Sequence, residues 1–134
     1  MLAPGPRLYG AGRVARAGEV LVDPTSGRRL IFRRTSTQTS GQLTEYAVYY
    51  CADEPTPEPH ADADREHILE VVDGSLVACV AGRRQRLAPG DVLLIDRGQA
   101  HAVWNALPSP AAAVWQTFPA LDTEGRIEAR CRPL

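Results

Sequence analysis

The feature that most narrows the folds open to this chain is the punctuation between residues 67 and 118, where short β-prone runs alternate with turn residues at nearly regular intervals. His67 to Val72 is closed by Gly74, Ser75 to Val80 by Ala81-Gly82, Arg83 to Leu87 by Pro89-Gly90-Asp91, and Val92 to Ile95 by Gly98. His101 to Asn105 and Ala111 to Phe118 complete the series. Short strands at such spacing, with no internal repeat, predict an all-β antiparallel sandwich or barrel.

The segments before this series fit the same class. Glu19 to Val22, a turn at Asp23 to Gly27, and Arg28 to Arg34 read as a hairpin. A Ser/Thr-rich connection, Thr35 to Gly41, leads to a strand over Gln42 to Tyr50. There Leu43, Glu45, Ala47 and Tyr49 share one face and Tyr46, Val48 and Tyr50 the other, and period two does not say which lies inside. Asp53 to Pro59 contains three prolines, which lack the amide donor a central strand needs, so it reads as a rigid extended loop delivering the chain to His60. Asp122 to Arg130 is the one stretch read as helical.

At 134 residues the chain is expected to form one domain over residues 18–134, preceded by an arm, residues 1–17, rich in Pro, Gly, Ala and Arg. A net charge of -1 with scattered arginines points away from nucleic acid and from an anionic membrane surface as partners. Cys51, Cys79 and Cys131 are an odd and widely spaced set, neither a disulfide framework nor a Cys-x-x-Cys site, which favours a reducing compartment. Met1 to Gly12 lacks the unbroken apolar core of a signal peptide and no run approaches transmembrane length, so a cytoplasmic location is expected. Open edge strands in a small β domain need covering, and a homodimer, with the N-terminal hairpin and arm as cover, is the expected solution.

The chemistry concentrates between His60 and Asn105, which holds all three histidines of the chain, His60, His67 and His101. On an extended strand positions 60 and 62 point the same way, so His60 and Asp62 can face one interior point. Imidazole and carboxylate together suit Fe, Zn, Mn, Ni, Co or Cu, and the absence of a nearby cysteine argues against a zinc–sulfur site. Asp62 could ligate, act as a catalytic base beside a three-histidine metal, or be solvated at a loop edge. Glu66 is turned away from His67 by strand alternation. Tyr46, Gln116 and Arg97 are further pocket candidates: an aromatic, a polar group in an otherwise apolar strand, and a cation just before His101. Gly74, Gly90 and Gly98 read as turn glycines, and Asn105 as a hydrogen-bonding strand end.

At these residues the chain resembles the cupins, small antiparallel β-barrels of jelly-roll type with two short metal-binding motifs. The second motif, G-x5-P-x-G-x2-H-x3-N, is matched by Gly90, Gly98, His101 and Asn105, with Asp96 in the place of the proline. The first, G-x5-H-x-H-x3,4-E-x6-G, is matched at His60 and Gly74, with Asp62 where the second histidine stands and His67 where the glutamate stands. The strand-like stretch Gly41 to Val48 adds to the likeness, and a chain this short resembles the single-domain members. The resemblance implies one divalent transition metal held by His60, His67 and His101, with Asp62 as ligand or catalytic base, and a small-molecule substrate. It implies an enzyme of specialised biosynthesis or aromatic catabolism, with dioxygenase-like chemistry first. Alternatives are a non-redox cyclase, isomerase or epimerase, and a non-catalytic small-molecule binder.

Overall fold

Alternation of buried and exposed side chains along its strands organises the molecule, a computed structural model that describes residues 16–134 together with the backbone of two short strands, β1 (Leu8–Tyr9) and β2 (Arg13–Val14). Apart from that antiparallel pair, the expected arm over residues 1–17 lies largely outside the described residues. The remaining strands are β3 (Val20–Val22), β4 (Arg29–Arg34), β5 (Thr44–Tyr50), β6 (Glu66–Asp73), β7 (Leu76–Val80), β8 (Arg83–Leu87), β9 (Val92–Ile95), β10 (His101–Trp104), β11 (Ala111–Phe118) and β12 (Arg132–Pro133), with one helix, α1 (Thr123–Arg130), before the last. All pairings are antiparallel.

A seven-stranded sheet runs in the order β12-β3-β4-β5-β11-β6-β9, and a three-stranded sheet in the order β10-β7-β8. The fold is thus an all-β jelly-roll sandwich, and the expected barrel is realised as two facing sheets instead of one closed sheet. Local periodicity is identical in the two cases, because closure depends on whether the edge strands pair. Both sheets contribute to one apolar core: Leu69, Val71 and Ala113 from the larger, Leu76, Ala78 and Val103 from the smaller. Burying a side chain such as Leu69 contributes about 1.5–3 kcal/mol, and trimming it to alanine would cost about 2–5 kcal/mol once the cavity is included. The turn at Gly74 is the tightest point, with φ at +71° and a hypothetical Cβ only 2.6 Å from the Pro110 carbonyl oxygen, so no larger residue fits there.

Two connections place the functional side chains. The proline-rich loop is held by the Asp53 amide donating to the Leu107 carbonyl (2.8 Å) and the Glu54 amide to the Asn105 carbonyl (2.8 Å), and it ends in a bridge where His60 and His101 exchange both backbone hydrogen bonds (3.0 and 2.8 Å). At the other end of β11, α1 follows Asp122 and packs inward through Ile127. Its buried Glu124 carboxylate accepts from the Ser36 amide and the Thr44 hydroxyl, both at 2.7 Å, clamping the helix to the start of β5. Among the described residues no helix is long and apolar enough to cross a membrane.

Candidate metal centre

Histidine and carboxylate converge because the proline-rich loop, β6 and β10 meet at one mouth of the sandwich. The bridge to β10 sets His60 beside His101, with ring centroids 4.4 Å apart, and β6 brings His67 to 5.2 Å from His101. Asp62, two residues past His60, faces the same point, and its backbone carbonyl accepts from the Gly98 amide (2.9 Å). One donor atom from each of His60, Asp62 and His101 lies within 4.8 Å of the others.

The hydrogen bonds around these rings assign their free lone pairs. His101 Nδ1 lies 3.0 Å from the Gln99 carbonyl, which only accepts, so Nδ1 carries the proton and Nε2 is left with its lone pair. His67 is engaged at both nitrogens: Nδ1 lies 2.8 Å from the Thr117 hydroxyl, and Nε2 2.7 Å from Asp62 Oδ2. Since a carboxylate only accepts, the His67 Nε2–H donates to it and Thr117 donates to Nδ1. Tyr46 Oη stands behind, 3.3 Å from Thr117 Oγ1. In this arrangement Asp62, and not His67, completes a triad of donors with His60 and His101, whereas the motif reading put His67 first.

Burial lowers His67 below the ordinary imidazole value and outweighs the opposing pull of Asp62. Burial and the neighbouring His101 lower His60 likewise. Both rings are therefore neutral at pH 7, as metal ligation requires. For Asp62 burial acts upward, yet the hydrogen bond from His67, together with a 2.8 Å bond from Arg126, holds the carboxyl below its ordinary value. It is an ionised carboxylate.

The donors open onto a cavity of about 270 Å³, walled on one side by Tyr46, Trp115 and Thr117. The Tyr46 and Trp115 rings lie parallel to within 5°, and the Trp115 indole N–H donates to the Tyr50 hydroxyl (2.9 Å). Tyr46 is thus a wall residue. Gln116 and Arg97 lie outside. On β11 the inward positions are 111, 113, 115 and 117, so Gln116 turns to the opposite face, where its amide donates to Glu45 (2.7 Å). Arg97 sits on the exposed Gly98 turn and faces Glu66 at 3.6 Å. Asn105 ends β10 as expected, fully buried, its amide donating to the Ser109 carbonyl and its side-chain oxygen accepting from the Leu107 amide.

Four arginines that the motif reading passed over also line the cavity: Arg28, Arg65, Arg126 and Arg130. The last two share a helical face with Thr123 and Ile127, spaced as i, i+3, i+4 and i+7, and that spacing was the available signal in the sequence.

Comparison with known proteins agrees with the architecture. A family model described as a cupin domain matches residues 49–117. Among solved structures, KdgF from Halomonas sp. has a TM-score of 0.66 at 19% identity, covering 78% of this chain and 89% of that one. A predicted oxalate decarboxylase from Thermotoga maritima has a TM-score of 0.67 at 14% identity, covering 79% and 98%. A sugar phosphate isomerase of the same superfamily from Silicibacter pomeroyi has a TM-score of 0.59 at 19% identity, covering 69% and 59%. At these identities the likeness shows the fold. No curated protein matches the chain.

Proposed function

The chain belongs to the cupin family, and from that premise we propose that it is a metal-dependent enzyme converting a small organic molecule in the cavity beside His60 and His101. The observation that carries the reading is the donor set: two imidazoles, one with its Nε2 lone pair free, and an ionised carboxylate within 4.8 Å. Such a set suits Fe, Zn, Mn, Ni, Co or Cu and lacks the thiolates of a structural zinc site. His60, Asp62 and His101 would hold the ion, which when bound supplies Lewis-acid or, if redox-active, one-electron chemistry. Two histidines with one carboxylate is the ligand type of non-haem iron oxygenases, so oxygen-dependent turnover is the first expectation.

The remaining groups act through Asp62 and the wall. His67, fixed by Thr117, donates to Asp62 and holds the carboxylate in place. Tyr46 and Trp115 give the substrate an apolar surface and keep water from that side. A second reading, non-redox lyase or isomerase chemistry, is favoured by the chain from Tyr46 through Thr117 and His67 to Asp62, along which a proton at Asp62 could be exchanged. The sugar phosphate isomerase and the predicted oxalate decarboxylase among the structural relatives fit that reading. A non-catalytic binder is the third, and absence of turnover with any metal and substrate would select it.

Elemental analysis of protein purified without added metal, followed by turnover assays with and without oxygen, separates these readings. His101→Ala should lose most of the metal, and full occupancy in that variant would remove the site. Asp62→Asn should also lose metal while His67→Gln keeps it; the opposite pattern would return the third position to His67. We further propose a homodimer, because the outermost strand β9 leaves Val92 and Leu94 exposed along an open edge. A monomer by light scattering at micromolar concentration would sink that proposal.

A further inference from the structure

The end of the cavity formed by α1 and the start of β6 has a feature that the metal reading does not use. The Arg65 side chain is 2% exposed and lines the cavity. Its two terminal nitrogens donate to Asp64 and Asp122, while its Nε has no hydrogen-bond partner. The Thr123 hydroxyl, on the same wall and equally buried, is without a partner as well. Arg130, on the same helical face as Thr123 but exposed, lines the cavity with no ion pair among the described residues. Buried donors without acceptors are costly, roughly 1–3 kcal/mol each, so the Arg65 Nε–H and the Thr123 hydroxyl are left in want of acceptors.

The counter-charges do not remove this need. Asp64 and Asp122 are 62% and 59% exposed, so water screens them, whereas the guanidinium they face is buried. Asp23 also lines the cavity, with one carboxylate oxygen accepting from the Thr25 amide (2.9 Å). Arg126 spans the two ends, donating to Asp62 at 2.8 Å and lying 3.5 Å from Asp122. The wall therefore runs from His67 and Asp62 through Arg126 and Asp122 to Arg65 without a break.

We infer that Arg65, Thr123 and Arg130 form an anion subsite that takes the carboxylate of a small organic acid and presents the rest of the molecule to the histidines. The inference rests on the reading of the cavity as a substrate site. An arginine N–H and a hydroxyl that line one cavity can each donate to an oxygen of a planar carboxylate. A carboxylate and a phosphate monoester share this oxyanion chemistry, and the few donors here favour the singly charged group. A volume of about 270 Å³ admits only a small acid, because small-molecule sites run from roughly 300 to 1,000 Å³.

Calorimetric titration of the protein as purified with benzoate, benzamide and phenyl phosphate tests the subsite. Benzoate should bind at least tenfold more tightly than its neutral isostere benzamide, and more tightly than phenyl phosphate. Arg65→Gln should lose at least tenfold in benzoate affinity with benzamide unchanged. Since that variant also removes the ion pairs to Asp64 and Asp122, Thr123→Val and Arg130→Gln, whose side chains make no such contacts, should each lose threefold or more. Equal binding of benzoate and benzamide, or unchanged benzoate affinity in both of the latter variants, overturns the inference, and tighter phenyl phosphate overturns the choice of carboxylate. In His101→Ala benzoate affinity should persist; if it disappears together with the metal, the acid sits on the ion and the subsite does not exist. A wild-type protein that binds benzoate but holds no metal would instead sink the metal reading alone.

Discussion

Two arginines lining the same cavity, Arg28 with a quarter of its side chain exposed (25%) and Arg65 buried, differ in how far their partners satisfy them. Arg28 meets Glu54 through two parallel bonds (2.7 and 2.8 Å), adds the Val103 carbonyl (3.3 Å), and lies over the Tyr50 ring at 4.6 Å from its centroid. Glu54 in turn accepts from the Asn105 and Cys51 amides, and its side chain is only 6% exposed. Burial acts to lower Arg28, but Glu54, Tyr50 and Asp23 together outweigh it and raise the guanidinium above its ordinary value. Arg65 is more deeply buried, yet its carboxylates stand in water and its Nε is unmatched. A closed pair of this kind fastens the proline-rich loop to the sheet. An open one is available to something else.

The largest expected effect tests the closed pair. Glu54→Ala leaves the partly buried Arg28 cation without its partner and takes the carboxylate acceptor from two amides, and should cost about 2–4 kcal/mol in urea unfolding, less than a fully buried pair because the guanidinium is a quarter exposed. Arg65→Met removes a cation whose carboxylates remain hydrated, and stability should change by no more than about 1 kcal/mol. If the two losses are equal, Arg65 is a structural residue like Arg28 and the contrast fails. The smallest effect concerns Glu45 on the outer face, where burial acts upward but bonds from Arg34 and Gln116 and the charge of Arg33 hold the carboxyl below its ordinary value. A depressed folded value stabilises above the ordinary carboxylate range, and the contribution disappears as pH falls through that range to the folded value. Glu45→Gln should flatten the acid side of a stability–pH profile, with less than about 1 kcal/mol lost at pH 7 because Arg33 and Arg34 are half exposed. An unchanged acid side would mean that outer and inner ion pairs cannot be ranked by their exposure.

The same contrast explains what was legible in the sequence. Turn chemistry and alternation placed most strands, since Gly74, Gly82, Gly90 and Gly98 all adopt positive φ at the ends of runs. Motif spacing brought His60, His67 and His101 forward as one set, and strand parity added Asp62. Gln116 was misread because parity sorts a strand into two faces without saying which is inside. Its register partner on β5 is Glu45, and both lie on the face opposite Tyr46, Val48 and Trp115. Which histidine nitrogen is free depends on Thr117 and Gln99, groups brought near by pairing and by a turn, and no local pattern announces them. The α1 arginines were visible as a periodic face, but a helix of eight residues gives a weak signal, and the cavity it faces exists only after the sheets have paired.

The bridge between His60 and His101 has a consequence for how such a protein can change over time. Because those residues exchange both backbone hydrogen bonds, the separation of their Cα atoms is a property of main-chain pairing, indifferent to the identity of nearby side chains. Much of the opposite wall is contributed by α1, beyond the stretch that the family model matches. Substitutions on that helix can therefore alter which molecule is admitted while the spacing of the two histidines stays as it is, so that selectivity and metal geometry form separable modules of one small domain.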